Sequence, residues 1–268
     1  MVQEVAVLVN PTAGRGLGAR LVGPVTDRLR AAGIEARWEA GRDAAEAGEL
    51  ARQWVARGVD GIVVVGGDGM VHLVVQAVAG TKTALGIVTA GTGNDLARAL
   101  GIPRKDPLAA ADVVIAGHRR TIDLGRVGSQ WFSTVLCAGI DSRVAERVSH
   151  MRWIRGRLRY DLATLAELRD FATRPFVLQV DGGEEEQIEA LLVAVGNTSS
   201  YGGGLRMCEG ADPTDGRFEV AVISALRRRD LAALYPRLAK GTHVDHPAVR
   251  MFRARSVSLA APGTTAYA

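Results

Sequence analysis

Apolar residues fall in short runs, and the stretches between them carry helical spacing and stop at glycine. Residues 5–9, 34–38, 62–65 and 85–88 read as strands. Continuous Val, Ile and Leu runs of this length suit strands buried on both faces. Residues 19–32, 44–57, 71–78, 95–100 and 107–115 read as helices, closed by Gly33, Gly58, Gly80, Gly101 and Gly117. Strand–helix alternation with glycine stops predicts an α/β domain: a parallel sheet covered by helices on both sides.

After Arg120 the pattern changes. Residues 121–127, 131–137, 176–180, 188–195, 218–223 and 256–259 read as strands, with Asp181-Gly182-Gly183 as a hairpin turn. Helical spacing returns only at 157–171 and 231–240. The expected organisation is a nucleotide-binding α/β domain over 1–120 and a β-rich, sandwich-like domain over 121–268.

Length and composition add limits. At 268 residues the chain can bury one large or two modest cores. No apolar run reaches the ~20 residues that span a bilayer, and no signal segment opens the chain. A cytoplasmic protein is expected. Cys137 and Cys208 stand far apart, in no ligand spacing, and read as buried free thiols. The net charge is +4, with arginine grouped at 152–159 and 227–229. Such groups are either a solvated face or a contact for anionic lipid headgroups. Nucleic acid is excluded as a partner, because no aromatic residues interleave with the basic ones in a stacking pattern. His72, His243 and His246 lack matched ligands and read as packing or solvent residues.

The candidate chemistry lies in three glycine-rich turns, each following a strand and opening a helix: Asn10-Pro11-Thr12-Ala13-Gly14-Arg15-Gly16, Gly66-Gly67-Asp68-Gly69 and Gly91-Thr92-Gly93-Asn94-Asp95. Backbone without Cβ atoms approaches phosphate closely and aims N–H groups at its oxygens. Three such turns suggest one edge of a parallel sheet that holds a nucleotide. Asp68 is either a turn aspartate bonded to nearby backbone or a Mg²⁺ anchor beside phosphates. Asn94 and Asp95 are either a helix cap or part of the same site. Thr92 offers a hydroxyl to phosphate. Asp123 is either a surface residue at a strand end or a third carboxylate. Asp212-Pro213-Thr214-Asp215-Gly216 is either a turn or a loop holding a hard cation.

In this order and spacing the motifs resemble the diacylglycerol kinase catalytic-domain family, which includes sphingosine kinases and bacterial lipid kinases. Ala138-Gly139-Ile140-Asp141, Gly196-Asn197, Tyr201-Gly202-Gly203-Gly204 and Asp212…Asp215-Gly216 look like its second-domain signatures, so the likeness spans nearly the whole chain. It implies a two-domain, ATP-dependent lipid kinase with ATP in the cleft between domains. Asn10, Gly14, Gly66, Gly67, Asp68, Gly69, Met70, Val71, His72 and Thr92 would hold the nucleotide. Asp68, Asp95 and Asp123 would anchor catalytic Mg²⁺ through waters. A structural Mg²⁺ would use the Asp215 carboxylate and the backbone carbonyls of Asp212 and Arg217. The acceptor would be a lipid hydroxyl such as that of diacylglycerol, met at the inner membrane face by a peripheral enzyme, with a homodimer left open. The stretch Arg152-Trp153-Ile154-Arg155-Gly156-Arg157 is the expected membrane contact.

Departures from the family pattern are visible. Met70, His72 and Leu73 stand where Thr, Asn and Glu are usual, and Trp38 stands near a nucleotide-contacting threonine. The family's general base is the aspartate of an Asp-Gly-Glu after the last strands, and residues 261–268 lead up to that place. The expectation is a truncated sequence whose base would be the next residue. Two other readings accompany this one: a nucleotide-binding but inactive member of the family, and NAD kinase or phosphofructokinase-like chemistry. A dinucleotide oxidoreductase is disfavoured, since Gly14, Gly16 and Gly18 lack the Gly-x-Gly-x-x-Gly spacing.

Overall fold

The computed structural model describes residues 2–139, 173–226, 228–260 and 266–267. The helix expected over 157–171, the basic stretch 151–159, Ile140-Asp141 and Arg227 lie outside the described residues. The chain forms two compact units, Met1–Ser133 and Thr134–Ala268.

The first unit is the expected α/β domain. Strands β1 (Glu4–Val9), β2 (Glu35–Glu39), β3 (Gly61–Gly66) and β4 (Ala84–Thr89) make a parallel sheet in the order β2-β1-β3-β4. Helices α1 (Ala13–Ala31), α2 (Ala44–Arg57), α3 (Asp68–Val78), α4 (Asp95–Ala99) and α5 (Pro107–Ala116) connect and follow them. Alternate strand residues feed two cores. Val5, Val7, Val9, Val63 and Val65 pack with Val25, Leu29 and Ala110. Ala6, Leu8, Ile62 and Val64 pack with Ala51, Trp54, Val71 and Val74. A Val or Leu buried this fully contributes about 1.5–3 kcal/mol, which explains why β1 and β3 are apolar on both faces, while the edge strand β2 is largely exposed.

Helix ends follow the sequence signals. Asp43 accepts the Glu46 N–H at 2.9 Å, and Asp106 accepts those of Leu108 and Ala109 ahead of Pro107. Gly58 and Gly117 close α2 and α5 in the left-handed conformation. The start of α1 is irregular: Gly14, Arg15 and Gly16 all have positive φ, so the regular helix begins beyond them.

The strand expected over 121–127 is shorter in the structure. Ile122 and Leu124 pack on the core without pairing, and only β5 (Gly125–Val127) meets β6 (Gln130–Phe132). The run expected over 131–137 breaks at Ser133, between β6 and β7 (Val135–Gly139). The β5–β6 hairpin therefore belongs to the first unit, so the division falls later than the expected 120/121.

The second unit is β-rich and antiparallel. β8 (Arg174–Val180), β9 (Glu185–Gly196), β10 (Phe218–Ser224), α6 (Arg228–Lys240), β11 (Val249–Ala254), β12 (Val257–Ala260) and β13 (Ala266–Tyr267) follow β7. The twelve-residue β9 organises it. Its first half pairs with β8, which pairs with β12; its second half lies between β7 and β10. Leu192, Ala194, Ala221 and Ile223 pack with Leu234 and Leu238 of α6.

Candidate functional site

Because the first sheet is parallel, β1, β3 and β4 end at one edge, and the three glycine-rich turns follow them there. They are joined backbone to backbone: the Asn10 N–H donates to the Val65 carbonyl at 3.0 Å and the Ala90 N–H to the Gly66 carbonyl at 2.8 Å. A Cβ on Gly91 would lie 2.5 Å from the Gly67 Cα and 2.9 Å from Asn94 Oδ1. One on Gly14, already left-handed at φ 55°, would overlap the Ala90 carbonyl oxygen. Any larger residue at these places would separate the turns.

Asp68 and Asp95 come together across the second and third turns. Asp68 Oδ2 accepts the Asn94 N–H and Oδ1 the Asp95 N–H, both at 2.7 Å. A Cβ on Gly93 would overlap Asp68 Oδ2 and lie 3.4 Å from Asp95 Oδ2, so the two carboxylates come together where Gly93 leaves room for them. Asp68 is thus bonded to backbone, as one sequence reading allowed, but to a turn 26 and 27 positions away rather than to its own. Asp95 is buried, with the Arg98 guanidinium 3.4 Å from its Oδ1. Asp123 is half-buried between Ile122 and Leu124, which pack on the cluster containing Met70, Val71 and Leu96.

The other expected nucleotide residues divide by what they present. Thr92 and Gly69 are exposed at their turns. Asn10 Oδ1 accepts the Thr12 N–H and hydroxyl at 3.1 and 2.9 Å, which fixes the first turn. Met70 and Val71 turn their side chains into the core, leaving only backbone at the turn. Gly66 is buried as the last residue of β3. His72 is half-buried, and burial holds its imidazole below the ordinary range. Trp38 is 52% exposed on the edge strand β2.

Two more residues shape this edge: Asn94, read from the sequence as a helix cap or part of the site, and Arg98, which the sequence did not single out. Asn94 sits at the head of α4 in the left-handed region, φ 56° and ψ 49°, and makes no cap bond with its own side chain. Its Nδ2 donates to the Gly91 carbonyl at 2.9 Å, while its buried Oδ1 has no partner among the described residues. Arg98 Nη2 donates to the Gly93 carbonyl at 3.2 Å. The only sequence signal was an asparagine in a glycine turn, a residue that tolerates positive φ.

In the second unit Tyr201 and Leu205 bridge across three left-handed glycines, Gly202, Gly203 and Gly204. In the Asp212–Arg217 loop the carboxylates already have partners. Asp212 Oδ1 accepts the Thr214 N–H and hydroxyl at 3.0 and 2.7 Å. Asp215 Oδ1 accepts the Arg217 N–H at 2.9 Å, and its Oδ2 pairs with Arg253. Arg253 also holds Glu219 at 2.9 Å. The countercation of this loop is a guanidinium, and a divalent ion would have to displace it from Asp215. Both cysteines are buried, and burial, aided by Glu219, pushes the Cys208 thiol up, out of the reactive range.

Comparison with known proteins agrees with this geometry. Residues 4–127 match the diacylglycerol kinase catalytic domain, and residues 134–268 match the YegS C-terminal NAD kinase beta sandwich-like domain. The chain belongs to the diacylglycerol kinase family. A diacylglycerol kinase of Mycobacterium tuberculosis is 42% identical over 270 residues, covering 99% of this chain and 87% of that protein. One from Bacillus subtilis is 30% identical over 256 residues, covering 94% and 84%. A crystal structure of a diacylglycerol kinase from Bacillus anthracis shares the fold, with a TM-score of 0.76 at 21% identity, over 99% of this chain and 89% of that one. Among the described residues no helix is long and apolar enough to cross a membrane.

Proposed function

We propose that this chain transfers the γ-phosphoryl group of Mg-ATP to a lipid hydroxyl, with diacylglycerol, named in its relatives, as the acceptor. The observation that carries the reading is the meeting of three glycine turns at one sheet edge, with the Asp68 and Asp95 carboxylates both close to the Cβ position of Gly93.

The residues present fit ATP. The contact of Gly67 with Gly91, and of Gly14 with the Ala90 carbonyl, brings three stretches of backbone into a cradle that any Cβ would fill. Thr92 and the exposed backbone of Gly69 face outward from it. They also fit Mg²⁺, since Asp68 and Asp95 supply hard carboxylate oxygens of the kind that ion prefers, and Asp123 a third. When bound, Mg²⁺ neutralises charge on the phosphate oxygens. The protein's own part is positioning. The turns fix the phosphates by backbone N–H groups, and Asp95 is held by its helix and by Arg98. Phosphoryl transfer depends mainly on such positioning and electrostatic stabilisation. The hydroxyl of the acceptor gives its proton to a carboxylate base.

A lipid acceptor brings the enzyme to a membrane surface. The test is labelled γ-phosphate transfer from ATP to vesicles with and without diacylglycerol, and to vesicles carrying a sphingoid base instead. Label in the lipid phase only with diacylglycerol supports the reading; label in neither lipid refutes it.

A further inference from the structure

We propose that Asp68 is a positioning residue: its carboxylate locks the 91–95 turn in its left-handed form and so sets the direction of the Asp95 carboxylate. The proposal deepens the kinase reading and rests on it only for its kinetic arm.

Three observations carry it. The first is stoichiometric. Each oxygen of Asp68 takes one N–H, from consecutive residues Asn94 and Asp95, at 2.7 Å. Bonds from N–H to an ionised carboxylate are stronger than neutral ones. The second concerns the helix. α4 is only five residues long, and Asn94 does not cap it with its own side chain. Its leading N–H groups are instead satisfied from another turn, by Asp68. The third is strain. Asn94 holds φ 56°, which asparagine tolerates better than other non-glycine residues but still at some cost, so the bonds around it decide whether it stays there. Those surroundings are Asp68 on the N–H side, the Asn94–Gly91 bond, and Arg98 on the Gly93 carbonyl and the Asp95 carboxylate. Releasing Asp68 removes two of the bonds that hold the residue before Asp95 in this form.

The chemistry also says which substitution is informative. Asp68→Asn keeps the shape but replaces one acceptor oxygen with an NH₂ donor, which would face an N–H donor. Gly93→Ala leaves Asp68 chemically intact but places a methyl group where Oδ2 lies. If Asp68 served only to hold a cation, the first substitution would leave the turn closed.

The test has two arms. Amide proton NMR of the substrate-free protein reads the Asn94 and Asp95 N–H groups. They should resonate far downfield in the wild type, as N–H groups bonded to a carboxylate do, and exchange slowly. In both Asp68→Asn and Gly93→Ala the shifts should collapse and exchange should quicken about tenfold or more, with β3 and α2 amides unchanged. In the kinetic arm, Asp68→Asn should lower kcat about a hundredfold with little change in the KM for ATP. Adding Asp68→Asn to Asp95→Asn should cost no more than about threefold further, because one acts through the other. Unchanged Asn94 and Asp95 amides in Asp68→Asn overturn the proposal, as do kinetic losses that multiply. If the wild type transfers no phosphate, the kinase reading fails and the amide arm alone still decides the role of Asp68.

Discussion

Gln76 of α3 holds Trp131 of β6 by both ends of its amide: its Nε2 donates to the Trp131 carbonyl at 2.7 Å and its Oε1 accepts the Trp131 N–H at 2.9 Å. A side chain thereby plays the part of a neighbouring strand. This strap ties the β5–β6 hairpin, whose Phe132 is seated against its own Gly125, to α3. It also places the segment carrying Asp123 beside the helix that begins at Asp68.

Gln76→Ala should therefore leave two backbone groups without partners and cost about 1–3 kcal/mol. Chemical denaturation reads the loss, and hydrogen exchange should localise it to residues 125–132. Equal exchange in variant and wild type would mean that the hairpin is held by its apolar contacts alone.

Gly91→Ala tests the approach of the turns. The added methyl would lie 2.5 Å from the Gly67 Cα, backbone that cannot move aside cheaply. Stability should fall by about 1–3 kcal/mol, as in other overpacked sites. ATP affinity, measured by calorimetry, should fall as well. For stability, Gly69→Ala makes the control, since nothing lies within 4 Å of a Cβ there.

Much of this arrangement was legible in the sequence. The Val and Ile runs marked β1 and β3 because both faces are buried there, and Gly58, Gly101 and Gly117 marked helix ends because each takes positive φ. Other features depended on partners far away in the chain. The strand β11 has no apolar run of its own and is fixed by pairing with β10, where Arg253 stands opposite Glu219. The seat of β6 depends on Gln76, more than fifty positions before the Trp131 that it bonds. Asp68 was legible as a turn carboxylate, but no local pattern announces that its acceptors serve Asn94 and Asp95. The Asp212–Arg217 loop was recognised as acidic, while the guanidinium that balances it comes from β11.

If that guanidinium is the loop's cation, the loop needs no metal. Melting of the wild type should respond little to millimolar Mg²⁺ in the absence of nucleotide. Arg253→Met should lower the melting temperature and make it rise with Mg²⁺, because Asp215 and Glu219 are then left without their cation. A wild-type melting temperature that climbs with Mg²⁺, and stops doing so in Asp215→Ala, would instead assign a metal to the loop.

Acid should weaken the second unit through His243. This residue is fully buried, its Nε2–H donating to the Met207 carbonyl at 2.9 Å and its Nδ1 lacking a partner among the described residues. Burial, the largest cause, and then Arg237 hold the imidazole below its ordinary range, against the opposing pull of the Met207 carbonyl and Glu209. The unfolded chain takes up this proton near pH ~6.5, and the folded one only at lower pH. Unfolding therefore binds a proton, so the stabilisation is full above that pH and is lost as pH falls below it. Denaturation midpoints between pH 7.5 and 5 should fall in the wild type and fall less in His243→Gln. His72 shares the direction, so the slope is reduced rather than abolished.

The most direct test of the account is a titration of the isotopically labelled protein with ATP and Mg²⁺, followed through its backbone amides. The account expects the largest shifts in the three turns, at residues 10–16, 66–70 and 91–95, with Asp95→Asn weakening the Mg²⁺-dependent part. Shifts that leave these turns untouched, or no saturable response to ATP, would contradict it.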